Sequence, residues 1–159
     1  MMIRWNSWRR ALGRAAVSGS VAAVVSTVAL GVLGRRKTGS AAAPVNAVSH
    51  WYFGDRAARS DGVSLKYTLT GYLTHHAASV LWATLFERLF ERRTWPRRAA
   101  PLVRAAAVAA IAAVVDYTIT PKRLTPGYEK RLSAPALVVV YSAFAAGLAL
   151  GRGGRAPLR

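Results

Sequence analysis

Three stretches of the chain, residues 15–34, 67–86 and 132–151, each run for 20 residues without an Asp, Glu, Lys or Arg. A helix of that length spans about 30 Å, the thickness of the hydrocarbon core of a bilayer. Three such runs within 159 residues predict an all-α integral membrane bundle. A further crossing is read between them. Only residues 105–115 are uncharged there, too few to span, but 99–120 is long enough and is bounded by Arg98 and Pro121. This extension requires Arg104 to reach the headgroups along its aliphatic stem and Asp116 to find a polar partner. The predicted organisation is one transmembrane domain over residues 1–159, with about four helices at 15–34, 67–86, 99–120 and 132–151.

The connections carry their own signals. Arg4, Arg9, Arg10 and Arg14 precede the first apolar run, as in a secretory signal, and small residues follow it at 40–43. The apolar part of a cleaved signal covers only about 7–15 residues, so the run is read as a retained helix. After Arg35-Arg36-Lys37, the segment from Pro44 to Asp55 is too short to cross and too aromatic for a plain solvated loop. It is expected to be an interfacial or partly re-entrant segment between helices 1 and 2, with Trp51, Tyr52 and Phe53 at headgroup depth. The second span is expected to continue as a basic helix to Arg93 and to stop at Trp95-Pro96, because proline disfavours helical geometry in the residue before it. Pro126-Gly127 marks a turn before the last span, where Ala143, Gly147 and Gly151 recur at four-residue intervals. Small residues so spaced let two helix backbones approach closely in lipid.

Charge refines this picture. The formal net charge is +17, with 23 Lys and Arg against 6 Asp and Glu. In a soluble protein such a balance points to nucleic acid. Here the cations cluster at the ends of apolar runs, so the expected partner is membrane lipid, anionic headgroups included, and no nucleic acid. With four spans, 13 of the 23 basic residues share the side of both termini. The excess places both termini in the cytoplasm. Trp5, Trp8 and Trp95 would form one aromatic belt, and Trp51, Tyr52, Tyr67, Tyr117 and Tyr128 the other. A homo-oligomer or a partner membrane protein stays open. Cysteine is absent, which excludes disulfides, thiolate nucleophiles, iron–sulfur clusters and Cys-type zinc sites. The bias to Arg and Ala suggests a high-GC bacterial genome.

Candidate chemistry lies in a few polar groups. His75 and His76 in the second span, Asp116 in the third, and Asn46, His50 and Asp55 around the aromatic segment are expected to converge on one outer mouth. An ionisable side chain at mid-membrane costs about 2.5–3.5 kcal/mol on insertion scales, so it has a partner or a task. Three readings follow: interhelical hydrogen bonds that fix the packing, a proton or ion relay, or a haem or metal site using His50 with His75 or His76. Adjacent histidines point about 100° apart on a helix and do not readily share one metal. No cofactor is therefore expected, with haem or metal as the alternative. Glu87 lies on the face of His76 but three turns away, and is expected to pair with an Arg at the interface. Ser79 and Trp82 share the face of His75 and are read as packing. No hydrolase elbow, phosphate-binding loop, zincin helix or dinucleotide fingerprint is present, which disfavours an enzyme. Arg152-Gly153-Gly154-Arg155 is a basic tail, with no strand before it and no helix after it.

Asn46, Ser49-His50-Trp51, Gly54-Asp55, Gly71-Tyr72, His75-His76, Ser79, Trp82, Glu87 and the stretch 121–133 together resemble small multi-span bacterial inner-membrane proteins of uncharacterised function. The resemblance covers about residues 15–150, and its most distinctive parts are the His50 segment and Arg123-Leu124-Thr125-Pro126-Gly127. It implies an inner-membrane location and no known activity. The function expected is that of a non-catalytic structural or accessory membrane component. The alternatives are a small proton- or ion-linked transporter or channel, and a haem- or metal-binding protein.

Overall fold

Apolar residues line the outside of this molecule as well as its core. The computed structural model describes residues 2–91 and 101–153, with side chains at 8–89 and 101–152, and no strand occurs among them. Four long helices carry the architecture. The first, α1, is Met2–Thr38, and three short helices follow it: α2 (Ala43–Val48), α3 (His50–Phe53) and α4 (Asp55–Ala58). A π-helical turn, Leu65–Leu69, leads into α5 (Thr70–Glu91). Helix α6 (Pro101–Val114) ends in a second π-helical turn, Val115–Ile119, and α7 (Ala134–Gly153) closes the bundle.

Among the described residues, three segments are long and apolar enough to cross a membrane: Trp8–Thr38, Pro101–Ile119 and Ala134–Arg152. The expected third span is thus among them, although its charges made it the hardest to read. Helix α5 is not, because Thr70, Thr74, His75, His76, Ser79, Thr84 and Glu87 lower its apolar content. The first helix is also longer than its uncharged run. It extends in both directions through Arg14 and Arg35, since long Arg stems continue a helix well.

Helix α1 is the spine. It packs along α7 and α5, and α7 packs against α6, whereas α5 and α6 touch each other little. The packing with α7 is backbone to backbone. A methyl group built on Gly147 would lie 2.5 Å from Ala22 Cα, and one on Gly151 would lie 2.6 Å from Ser18 Cα. Ala143, two turns before Gly151, is half-buried. Contacts of 18 with 151 and 22 with 147 fix α1 and α7 as antiparallel, and α1 and α5 likewise approach where Gly19 meets Val80.

Two apolar cores divide the bundle. Near the end where α1 begins, Ala15, Ala22, Phe86, Val108, Phe144 and Leu148 form one, and we call this the basic end. At the opposite end, Leu30, Val45, Val48, Tyr128, Leu132 and Val140 form the other. This second end is capped. The aromatic segment expected at the interface is folded inward over residues 42–50, all of them buried. Tyr52 is exposed, whereas Trp51 and Phe53 are half-buried. Gly127 explains how the 121–133 loop closes onto it. Its φ is +94°, and any side chain there would strike Ala47 O at 2.4 Å. Only glycine meets both conditions. Trp51 Nε1 donates to Thr125 O (2.7 Å), Lys130 pairs with Asp55 at 3.2 Å, and Arg131 pairs with Asp61. Helix–loop–helix connections at this end are thereby stitched into one lid.

Candidate functional site

The six polar residues singled out from the sequence do not form one cluster. Asn46 is a clamp: its Nδ2 donates to Ser60 O (2.9 Å) and Gly62 O (2.8 Å), and its Oδ1 accepts from Thr68 Oγ1 (2.6 Å). It holds the entry to α5. Asp55 is exposed and engaged with Lys130. His50 donates from Nδ1 to Ala47 O at 2.8 Å, and its buried Nε2 has no hydrogen-bond partner among the described residues. Gly127 lies against its ring.

His75 and His76 face α1 instead, in two separate bonds. Ser26 donates its hydroxyl proton to Ala22 O (2.7 Å), so its oxygen accepts from His75 Nε2–H at 2.8 Å. Ser20 likewise donates to Ala16 O (2.6 Å) and accepts from His76 Nε2–H at 3.0 Å. Tyr72 then donates to His76 Nδ1 at 3.3 Å. A serine on a helix readily bonds the carbonyl four residues back, which leaves its oxygen free to accept from an imidazole N–H. The sequence alone hid these partners, because they lie 49 and 56 residues away.

At the basic end, Glu87 does pair with an arginine, Arg152, but not at the surface. It is 1% exposed and also accepts from Ser18 Oγ at 3.0 Å. Lipid-embedded or not, an interior carboxylate demands such company. Arg88 stacks over the Trp8 ring at 4.3 Å. Of the residues expected to share Trp8's aromatic belt, Trp95 and the Trp5 side chain lie outside the described residues. Arg93, the expected end of the basic helix, lies outside them too.

Asp116 and His75 do come together, as walls of one cavity of about 280 Å³. It lies in the capped half, where α5 and α6 separate. Ser79 and Trp82 from α5, and Tyr141 and Phe144 from α7, complete much of its wall. Leu81, 69% exposed, also lines it, so the cavity reaches the outer surface of α5. Its polar feature is a chain of hydroxyls that sequence reasoning missed. Tyr128 OH donates to Tyr141 OH (3.2 Å), which donates to Asp116 Oδ2 (2.6 Å). The π-helical turn carrying Asp116, closed by Thr120 N–H to Val115 O at 2.9 Å, widens α6 at this point and sets the carboxylate's direction. Tyr128, in the connecting loop, is fully buried. Burial above all, then the neighbouring phenol of Tyr117 and the charges of Asp116 and Glu129, push its phenol well above the usual tyrosine value. It therefore serves as a hydrogen-bond donor.

Among the described residues, no group of three or more His, Asp or Glu is placed to hold a metal ion. His50 is tied to Ala47 of α2, and His75 and His76 to two different serines of α1. The fold and site define an all-helical protein with three helices able to cross a membrane and an apolar cavity bearing one carboxylate and one imidazole. No family model, no curated protein and no solved structure matches the chain.

Proposed function

We propose that this chain is a four-span protein of the bacterial inner membrane, with both termini cytoplasmic, acting without catalysis as an accessory or packing component. One observation carries the fourth span. Positions 69, 73, 77, 81 and 85 of α5 and the turn before it are Leu, Leu, Ala, Leu and Leu, and all are exposed. Its polar residues turn the other way and find partners in α1: His75 with Ser26, His76 with Ser20, Glu87 with Ser18. A helix that hides its polar face and presents a leucine stripe is built for hydrocarbon, where each polar group must be satisfied internally. Low mean hydropathy then reflects buried polar contacts and not exposure to water. The resemblance to small bacterial membrane proteins and the excess of basic residues on the side of the termini support the location and orientation.

On this reading, the short helices α2–α4 lie at the outer interface as the lid. Reporter fusions at Arg159 and near Ser60 give opposite sidedness. A protein recovered in the high-speed supernatant without detergent would sink the proposal. As a packing component, the protein with His75→Ala or Asp116→Ala unfolds at lower temperature in detergent and passes no more or less proton current in liposomes than the unmodified chain. The second reading, a proton- or ion-linked transporter, is favoured by the Tyr128–Tyr141–Asp116 chain ending in a cavity shared with His75. Ion flux in liposomes that either substitution abolishes would select it.

A further inference from the structure

The cavity wall bears a carboxylate and no permanent cation, and the imidazole of His75 that shares the space is engaged with Ser26 and not with Asp116. Neither Lys nor Arg lines the space, and the one hydrogen-bond partner of Asp116 among the described residues is the neutral phenol of Tyr141. Salt bridges in the described residues leave Asp116 out. Every other acidic side chain described is placed differently: Asp55, Asp61 and Glu87 have cations, and Glu129 accepts from Thr125 Oγ1 at 2.6 Å in the loop above. Carboxylates within a membrane are retained where a counter-charge meets them.

We propose that the cavity between α5 and α6 binds an amphipathic organic cation, an alkyl- or arylammonium that enters from the hydrocarbon and sets its nitrogen beside Asp116. Three features of the wall select this class. First, five aromatic rings surround the space, Trp51, Trp82, Tyr128, Tyr141 and Phe144. Ring faces attract cations most strongly when water is excluded. Second, most wall hydroxyls and N–H groups are already spent on the backbone. Ser26 donates to Ala22 O, Ser79 to His75 O, Thr74 to Thr70 O and Trp51 to Thr125 O. A sugar or another polyhydroxylated guest would find few bonds here, and an anion would meet the carboxylate. Third, the volume, about 280 Å³, lies at the small end of ligand pockets and suits a compact body with one charged group. Leu81, exposed on the leucine stripe, is part of the wall and sets the cavity next to the lipid side, the route of entry that the proposal takes.

This inference rests on the reading that lipid surrounds the bundle. The two fail separately, since recovery in the membrane fraction tests the first and ligand binding the second. The full chain in phosphatidylcholine nanodiscs, titrated with 4-phenylbutylammonium and with 4-phenylbutanol, compares one apolar body with and without charge. Empty nanodiscs give the partition background. The ammonium is expected to bind saturably and at least tenfold more tightly than the alcohol. Asp116→Asn, which keeps an acceptor for Tyr141, should weaken the ammonium at least tenfold and leave the alcohol within twofold. Ala78→Phe fills the space from α5 without touching the carboxylate, and should abolish saturable binding even if Asp116→Asn fails to fold. Equal affinity for alcohol and ammonium would mean a cavity for any apolar guest, a lipid acyl chain included, and would overturn the proposal. So would unchanged ammonium affinity in a folded Asp116→Asn or Ala78→Phe protein, or no saturable binding at all.

Discussion

At Gly147 a single methyl group has no room. The Cα of Ala22 would stand 2.5 Å from it, and both atoms belong to backbones that move only if two helices part. Gly147→Ala should therefore destabilise the bundle by about 1–3 kcal/mol, the usual cost of overpacking. A methyl group at Gly13, on the same spine, would meet nothing within 4 Å. Gly13→Ala should be neutral or stabilising by up to about 1 kcal/mol through helix propensity alone. Unfolding followed by circular dichroism in detergent separates the two, and equal effects would argue against close contact between α1 and α7. Tyr128 offers a test in pH. Its phenol is held above its ordinary value of 10.0, so folding favours the neutral form. The stability this contributes is complete below pH 10 and falls as pH rises through and above that value, by up to about 1.4 kcal/mol per unit. Unfolding free energies between about pH 9 and 11 should decline more steeply for the unmodified protein than for Tyr128→Phe. Small residues at four-residue spacing could be read from the sequence. The hydroxyl chain through Tyr128 and Tyr141 could not, because nothing in the spacing of a loop tyrosine tells which helix its oxygen will reach.

Among the elements, α5 is the one where hydropathy and environment part company. Its leucines and Ala77 face out while its histidines and Glu87 face α1. Ala77→Arg would put a guanidinium on the exposed stripe near mid-helix, at a cost of about 2.5–3.5 kcal/mol on insertion scales. Glycosylation-mapping of α5 insertion should show the loss, with Arg59→Ala, in the cap, as an unaffected control. Insertion unchanged by Ala77→Arg would place that stripe against protein or water. Uncharged length located α5 and α7 to within a few residues, whereas α1, Met2–Thr38, starts well before its uncharged run at 15. What it missed has one physical origin. Charged side chains do not stop a helix, so α1 runs on through Arg14 and Arg35, and the α6 segment holds Arg104 buried. The aromatic run 44–55 was expected at the interface because its rings are amphipathic. Within it residues 44–48 are packed against the rest of the protein, since Asn46 and Ser49 satisfy their polar groups internally.

For the molecule as a whole, contacts are distributed unevenly. Helix α1 carries the largest interfaces, with α7 and with α5, while α5 and α6 share a thin seam that widens into the cavity. The side-chain hydrogen bonds between α1 and α5 follow the same asymmetry: Ser18, Ser20 and Ser26, the partners of Glu87, His76 and His75, all lie on α1. That arrangement bears on biogenesis. Helix α1 is synthesised before α5, whose His75, His76 and Glu87 depend on its serines, so on the membrane reading the less apolar helix would insert with its host already in place. A fragment of residues 61–159 made alone should be degraded, and co-synthesis of residues 1–60 in the same cell should restore its steady-state level. Quality-control proteases, in effect, would read the missing serines before any activity assay could.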